Sequence, residues 1–209
     1  MVKNFAIVAL LAAAGTASAA VESFTTPFNS GVPNVVPGIN ISLPKFDTQG
    51  GLRVLTGVSF TGIGTVQAAI IGTNDAPAIS TLTVDLSGTL VLIVPGNVIV
   101  SNFLDSETSP ALAPGASHDF GLISDTNNLG PVAGAPLAFF NGAPGDTFAV
   151  TGTVTGGFTV SGAGNATISI SDFAAFGDVT VEYSFFIIPS PGAAALLGLG
   201  GLAVARRRR

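Results

Sequence analysis

Apolar residues in this chain come in short stretches cut by glycine and proline, 27 of the first and 13 of the second, and that punctuation excludes most helical folds. A helix interior loses roughly 1 kcal/mol for each glycine and about 3 kcal/mol for each proline, so a core made from such stretches is assembled from strands. Where a stretch is long enough to show a period, the period is two. Val179, Val181, Tyr183, Phe185 and Ile187 alternate with Thr180, Glu182 and Ser184, which sends five side chains inward from a long strand. Leu82, Val84 and Leu86 do the same against Thr81, Thr83, Asp85 and Ser87. Gly88 then reads as a turn or bulge before the continuous apolar run 90–94, which is of the kind that lies deep in a sandwich core and is closed by Pro95, Gly96 and Asn97. Further strands are expected at 39–43, 52–60, 66–71, 148–154, 158–160 and 167–170. The proline-rich stretch 102–144 reads as long loops around one or two short strands. The fold class expected is all-β, a single antiparallel β-sandwich or jelly-roll-like domain over 20–188.

Both ends differ from that body. Lys3 precedes ten uninterrupted apolar residues, 5–14, followed by Gly15 and the small residues Ala17, Ser18 and Ala19. This is the layout of a signal peptide, expected as a helix over 1–19 with cleavage after Ala19 or Ala20. At the other end Pro189, Ser190 and Pro191 interrupt any regular structure. Thirteen apolar residues, 193–205, follow, then Arg206, Arg207, Arg208 and Arg209. As a helix the apolar segment would be about 20 Å long against a hydrocarbon core of ~30 Å, so it inserts but spans poorly. The arginines would stay on the cytoplasmic side.

The segment 189–209 resembles the PEP-CTERM sorting tail, with Ser190 standing where that family has glutamate. The resemblance implies recognition by an exosortase, a membrane protease that cuts near the proline motif and passes its substrate outward. A second resemblance lies in the body. Leu43, Pro44, Lys45, Phe46 and Asp47, then Gly50, Gly51, Leu52 and Val58, are similar to the opening of the bacterial choice-of-anchor E domain; Gly152, Thr153 and Val154, with 179–183, fit its end. That family occurs with alternative surface-anchoring tails, and no catalytic motif is carried over from it.

The charge pattern agrees with export. Five of the seven basic residues lie in the two end segments, so the body keeps Lys45 and Arg53 against all twelve acids, 2 − 12 = −10. Such a body is expected to repel nucleic acid and anionic lipid. Cysteine is absent, which removes disulfides and thiolate chemistry.

Catalysis finds little footing. His118 is the one histidine, its neighbour Asp119 would point to the opposite face of a strand, and no serine sits in a Gly-x-Ser-x-Gly elbow. Asp105 and Glu107 share one face of an extended segment as a glycosidase pair would, but the chain has no tryptophan and one tyrosine for a sugar platform. Calcium is the metal that acidic exterior loops take. Asp125, Asn127 and Asn128, with Asp75, are its candidate ligands, although neither cluster has the spacing of a defined calcium loop and a solvated turn is the preferred reading. The function expected is therefore that of an exported, non-enzymatic surface or extracellular-matrix protein without a cofactor. Its partners would be signal peptidase, an exosortase and exopolysaccharide, and the tail would hold it transiently in the membrane. The alternative is a surface-displayed calcium-dependent carbohydrate-binding module.

Overall fold

The computed structural model describes residues 18–30 and 38–189. The signal helix expected from the sequence falls outside these residues except for Ser18 and Ala19, which lie in a strand, and the C-terminal apolar helix falls outside them entirely.

Ten strands run through the described chain: β1 (Ser18–Asn29), β2 (Gly38–Pro44), β3 (Phe46–Asp47), β4 (Arg53–Asn74), β5 (Thr83–Val94), β6 (Asn97–Thr108), β7 (Ser117–Ala133), β8 (Asn141–Gly142), β9 (Thr147–Ser161) and β10 (Ala166–Ile187). The pairing is nested. β5 meets β6, β4 meets β7, β3 meets β8, β2 meets β9 and β1 meets β10. The chain is thus one long hairpin with its tip at Pro95 and Gly96, rolled up until β10 also pairs with β4 and β9 with β5. The result is two four-stranded antiparallel sheets, β1-β10-β4-β7 and β2-β9-β5-β6, the wrap of a jelly roll. The short β3–β8 pair is parallel.

The sheets bury their inner faces against each other. Phe60, Tyr183 and Val181 from the first meet Leu43, Leu92, Phe103 and Val150 from the second in one cluster, which Phe46 and Phe140 join from the connecting segments. A second cluster at the other end joins Ala68, Ile70 and Ile123 to Val84 and Leu86.

Several expectations are corrected. Gly88 is no turn: β5 passes through it in unbroken register, and its missing side chain leaves room for Val66 of the facing sheet. Residues 90–94 do not all lie deep in the core, since Leu90, Leu92 and Val94 point inward while Ile93 is 54% exposed. Segments 52–60 and 66–71 are one strand, β4, bent by register shifts at Phe60/Gly62 and Ile70/Ile71. Segments 167–170 and 179–187 are likewise one strand, β10, with a shift between Ser171 and Ala174. Internal glycines and bulges look like strand ends in a sequence. The stretch 102–144 holds the end of β6 and all 17 residues of β7, because prolines at its ends do not prevent an edge strand between them. β1 had no sequence signal; its Pro27 needs no ladder hydrogen bond on an edge strand.

Candidate functional site

The antiparallel wrap gathers one set of strand ends into a single corner. Ser18 of β1 stands opposite Ile187 of β10, and Ile187 stands opposite Arg53 of β4. Ile188 continues the ladder by donating its N–H to the Leu52 carbonyl at 2.7 Å. Both ends of the described chain therefore leave from the same end of the sandwich, with Pro189 one residue past the last hydrogen bond.

Arg53 organises that end. Its guanidinium donates to Glu22 of β1 and to the Asp47 carbonyl at 3.1 Å. It also covers the rings of Phe46 and Phe185, 4.5 and 4.0 Å from their centroids. The side chain is 10% exposed against 36% for Glu22, so this is a half-buried cation held by a carboxylate, a carbonyl and two aromatic faces. Behind it the Tyr183 hydroxyl donates to the Pro44 carbonyl at 2.6 Å. Burial, and then the negative charge of Glu22, pushes the Tyr183 phenol well above its ordinary value. Lys45, the other cation of the body, lies 4.7 Å from the centroid of Phe139. Sequence reasoning did not single out Arg53, Lys45 or Glu22 for this role. The signal available was that Lys45 and Arg53 are the two basic residues left in the body.

The residues expected to matter fall in different places. Ala19 lies in β1 opposite Phe186, and Pro189 ends the described chain. Ala17, Ser190, Pro191, Arg206, Arg207, Arg208 and Arg209 lie outside the described residues. Asp125 and Asn127 come together on β7, where they tie the two sheets at their open edge. The Asp125 carboxylate accepts from the Leu104 N–H of β6 at 2.9 Å and from the Asn127 amide at 3.0 Å. Asn127 donates to the Asn102 carbonyl at 2.9 Å. Asp105 of β6 accepts in return from the Ser124 N–H at 3.2 Å. Asn128 points to solvent from the same strand. Asp75 is apart from them at the opposite end, accepting from Thr167. No group of three or more His, Asp or Glu side chains placed to hold a metal ion occurs among the described residues. His118 packs edge-on against Phe120 at 4.8 Å, while the Asp119 carboxylate accepts from the Gly121 N–H.

The outer face of the second sheet carries an open depression of about 410 Å³ lined by Ser87, Thr89, Asn102, Leu104, Thr155 and Gly157. It is shallow and has no charged lining residue. No helix among the described residues is long and apolar enough to cross a membrane.

No family model matches the chain, and no curated protein matches it. Among solved structures it is similar to a chain of the infectious bursal disease virus Gx strain, with 14% identity over 91% of this chain and 48% of that one and a TM-score of 0.15. It is also similar to the VP2 subviral particle of the same virus, with 14% identity over 91% and 50% and a TM-score of 0.14. The chain spans about half the length of these solved chains. Likenesses at such TM-scores carry no argument, and the sandwich assignment rests on the strand order and register.

Proposed function

We propose that this chain is an exported, non-enzymatic structural protein of the cell surface or extracellular matrix, sorted and processed by an exosortase through its C-terminal segment. The observation that carries the reading is the order of features along the chain. A signal-like segment precedes the first strand, and a proline break, an apolar segment and four arginines follow the last one. The corner supports it, because β1 begins and β10 ends side by side and a body so arranged can hang from a bilayer by either end. An acidic exterior, with its two cations held against aromatic rings, suits a component that packs beside neutral polysaccharide and repels nucleic acid.

Intact-mass measurement on protein from its native envelope tests the proposal. The expected product begins at Ala20 or Val21 and lacks Arg206, Arg207, Arg208 and Arg209. A product that keeps the four arginines contradicts processing. The alternative, a calcium-dependent carbohydrate-binding module, predicts a melting temperature that rises with added calcium and binding on a glycan array. The engagement of Asp125 and Asn127 with the backbone of β6 favours the structural reading.

A further inference from the structure

The end of the sandwich from which both chain ends leave is also its apolar end. Val21, Leu52, Val54, Phe186, Ile187 and Ile188 are each between 40% and 61% exposed. The register places them together: Phe186 is opposite both Ala19 and Val54, Val21 is opposite Ser184, and Ile188 is bonded to Leu52. Scattered exposed apolar residues are ordinary, whereas a contiguous patch marks a contact surface.

Charge is sorted along the same axis. The two body cations, Lys45 and Arg53, stand at this end with Glu22, Asp47 and Asp146, a local balance of 2 − 3 = −1. Asp75, Asp85, Asp105, Glu107, Asp119 and Asp172 stand toward the opposite end. Glu182, an exposed carboxylate of the first sheet, is four residues up β10 from Phe186, roughly 13 Å along the strand, and borders the patch at Val21, whose partner Ser184 is two residues away.

We propose that this end is a membrane-contact face that rests in the headgroup layer of a lipid bilayer. The inference rests on the tail reading and goes beyond it, since a tethered body need not touch the surface. Chain length limits the separation. From Pro189 to Ala193, where the apolar segment starts, is four residues, whose reach is at most about 14 Å in any conformation. The headgroup layer is roughly 5–8 Å thick on each side. With 193–205 in the hydrocarbon, the corner at Ile188 lies within about 18 Å of its edge even when the linker is fully extended, so the apolar patch beside it is the part of the body brought nearest the headgroup layer. The low local charge removes the repulsion that the acidic end would feel from an anionic surface.

The test uses the full chain in phosphatidylethanolamine–phosphatidylglycerol vesicles and exploits the absence of cysteine. Single labels at Val54→Cys or Phe186→Cys are compared with labels at Ile71→Cys or Leu122→Cys, which lie on the same outer face toward the opposite end. Quenching by a lipid-borne nitroxide is expected to be several-fold stronger for the first pair. In a chain that also carries Val54→Asp and Phe186→Asp, a label at Val21→Cys is expected to lose that quenching while the protein still floats with the vesicles through its tail. Equal, weak quenching at all four single sites on vesicles that carry the protein would overturn the contact face and leave the tail reading standing. A chain that fails to float with vesicles would overturn both. Shielding of the first pair that depends on protein density and not on lipid would assign the patch to a second copy and overturn the proposal.

Discussion

Tyr183 shows how one side chain ties a fold to solution conditions. It is fully buried, its hydroxyl is given to the Pro44 carbonyl, and its phenol is held protonated by burial and by Glu22. A group whose folded pKa is raised contributes stability that is complete below the unfolded value, about 10 for tyrosine, and lost as pH climbs past it. Urea midpoints should therefore be level near neutrality and fall above pH ~10, with phenolate absorbance appearing as the protein unfolds. As the chain has one tyrosine, the spectroscopic reading is unambiguous. Tyr183→Phe should cost about 1–2 kcal/mol at neutral pH, because Pro44 loses its donor, and should remove the Tyr183 share of the alkaline loss. Arg53→Met should cost about 2 kcal/mol through loss of both ring contacts and of its hydrogen bonds. Glu22→Gln should cost well under 1 kcal/mol, its carboxylate being more than a third exposed. Denaturant titration of the two variants checks that order. The interior place of Tyr183 was legible from alternation alone, whereas Glu22 and Phe185, two of the partners of Arg53, lie on strands remote in sequence and had no local signal.

At the scale of elements, the seam between β6 and β7 does work that neither strand could do alone. These are edge strands of different sheets, and an open edge invites pairing with another chain. Asp125, Asn127 and Asp105 occupy that edge's donors and acceptors instead. Asp125→Ala should cost about 1–2 kcal/mol, the usual consequence of leaving an N–H without its acceptor. It should also promote self-association, seen as concentration-dependent light scattering. Gly156 of β9 illustrates the opposite need, since a side chain there would fall on the ring of Phe173 from β10. Gly156→Ala should displace that ring and cost roughly 1–3 kcal/mol, measured by the same titration. The sequence pointed to Asp125 and Asn127 by composition, but as calcium candidates; their pairing with β6 depends on the roll of the hairpin, which no local pattern encodes.

For the whole molecule, the nested pairing puts β1 beside β10, so the maturation proposed above would act on one place from either end. Cleavage behind Ala19 removes the pairs Ser18–Ile187 and Ala19–Phe186 and leaves ten of the twelve rungs of β1. A chain that starts at Ala20 should melt within about 2 °C of one that starts at Ser18, because exposed terminal rungs contribute little. One that starts at Thr25 loses Glu22 and the packing of Phe24 on the core, and should melt clearly lower in a calorimetric scan.

The all-β character, the inward residues Leu82, Val84 and Leu86, with Val179, Val181, Tyr183 and Phe185, by alternation, and the contrast between an acidic body and basic ends were determined by the sequence alone. Each depends on residues within a few positions of one another, where a period of two or a run of one sign is complete in itself. Strand length and order, the closure at β6 and β7, the clamp at Arg53 and the apolar end were decided only by the tertiary structure. These depend on register between segments far beyond any local period, from the 21 residues that separate Leu104 and Asp125 to the pairing of Ser18 with Ile187, where burial across the two sheets selects the partner.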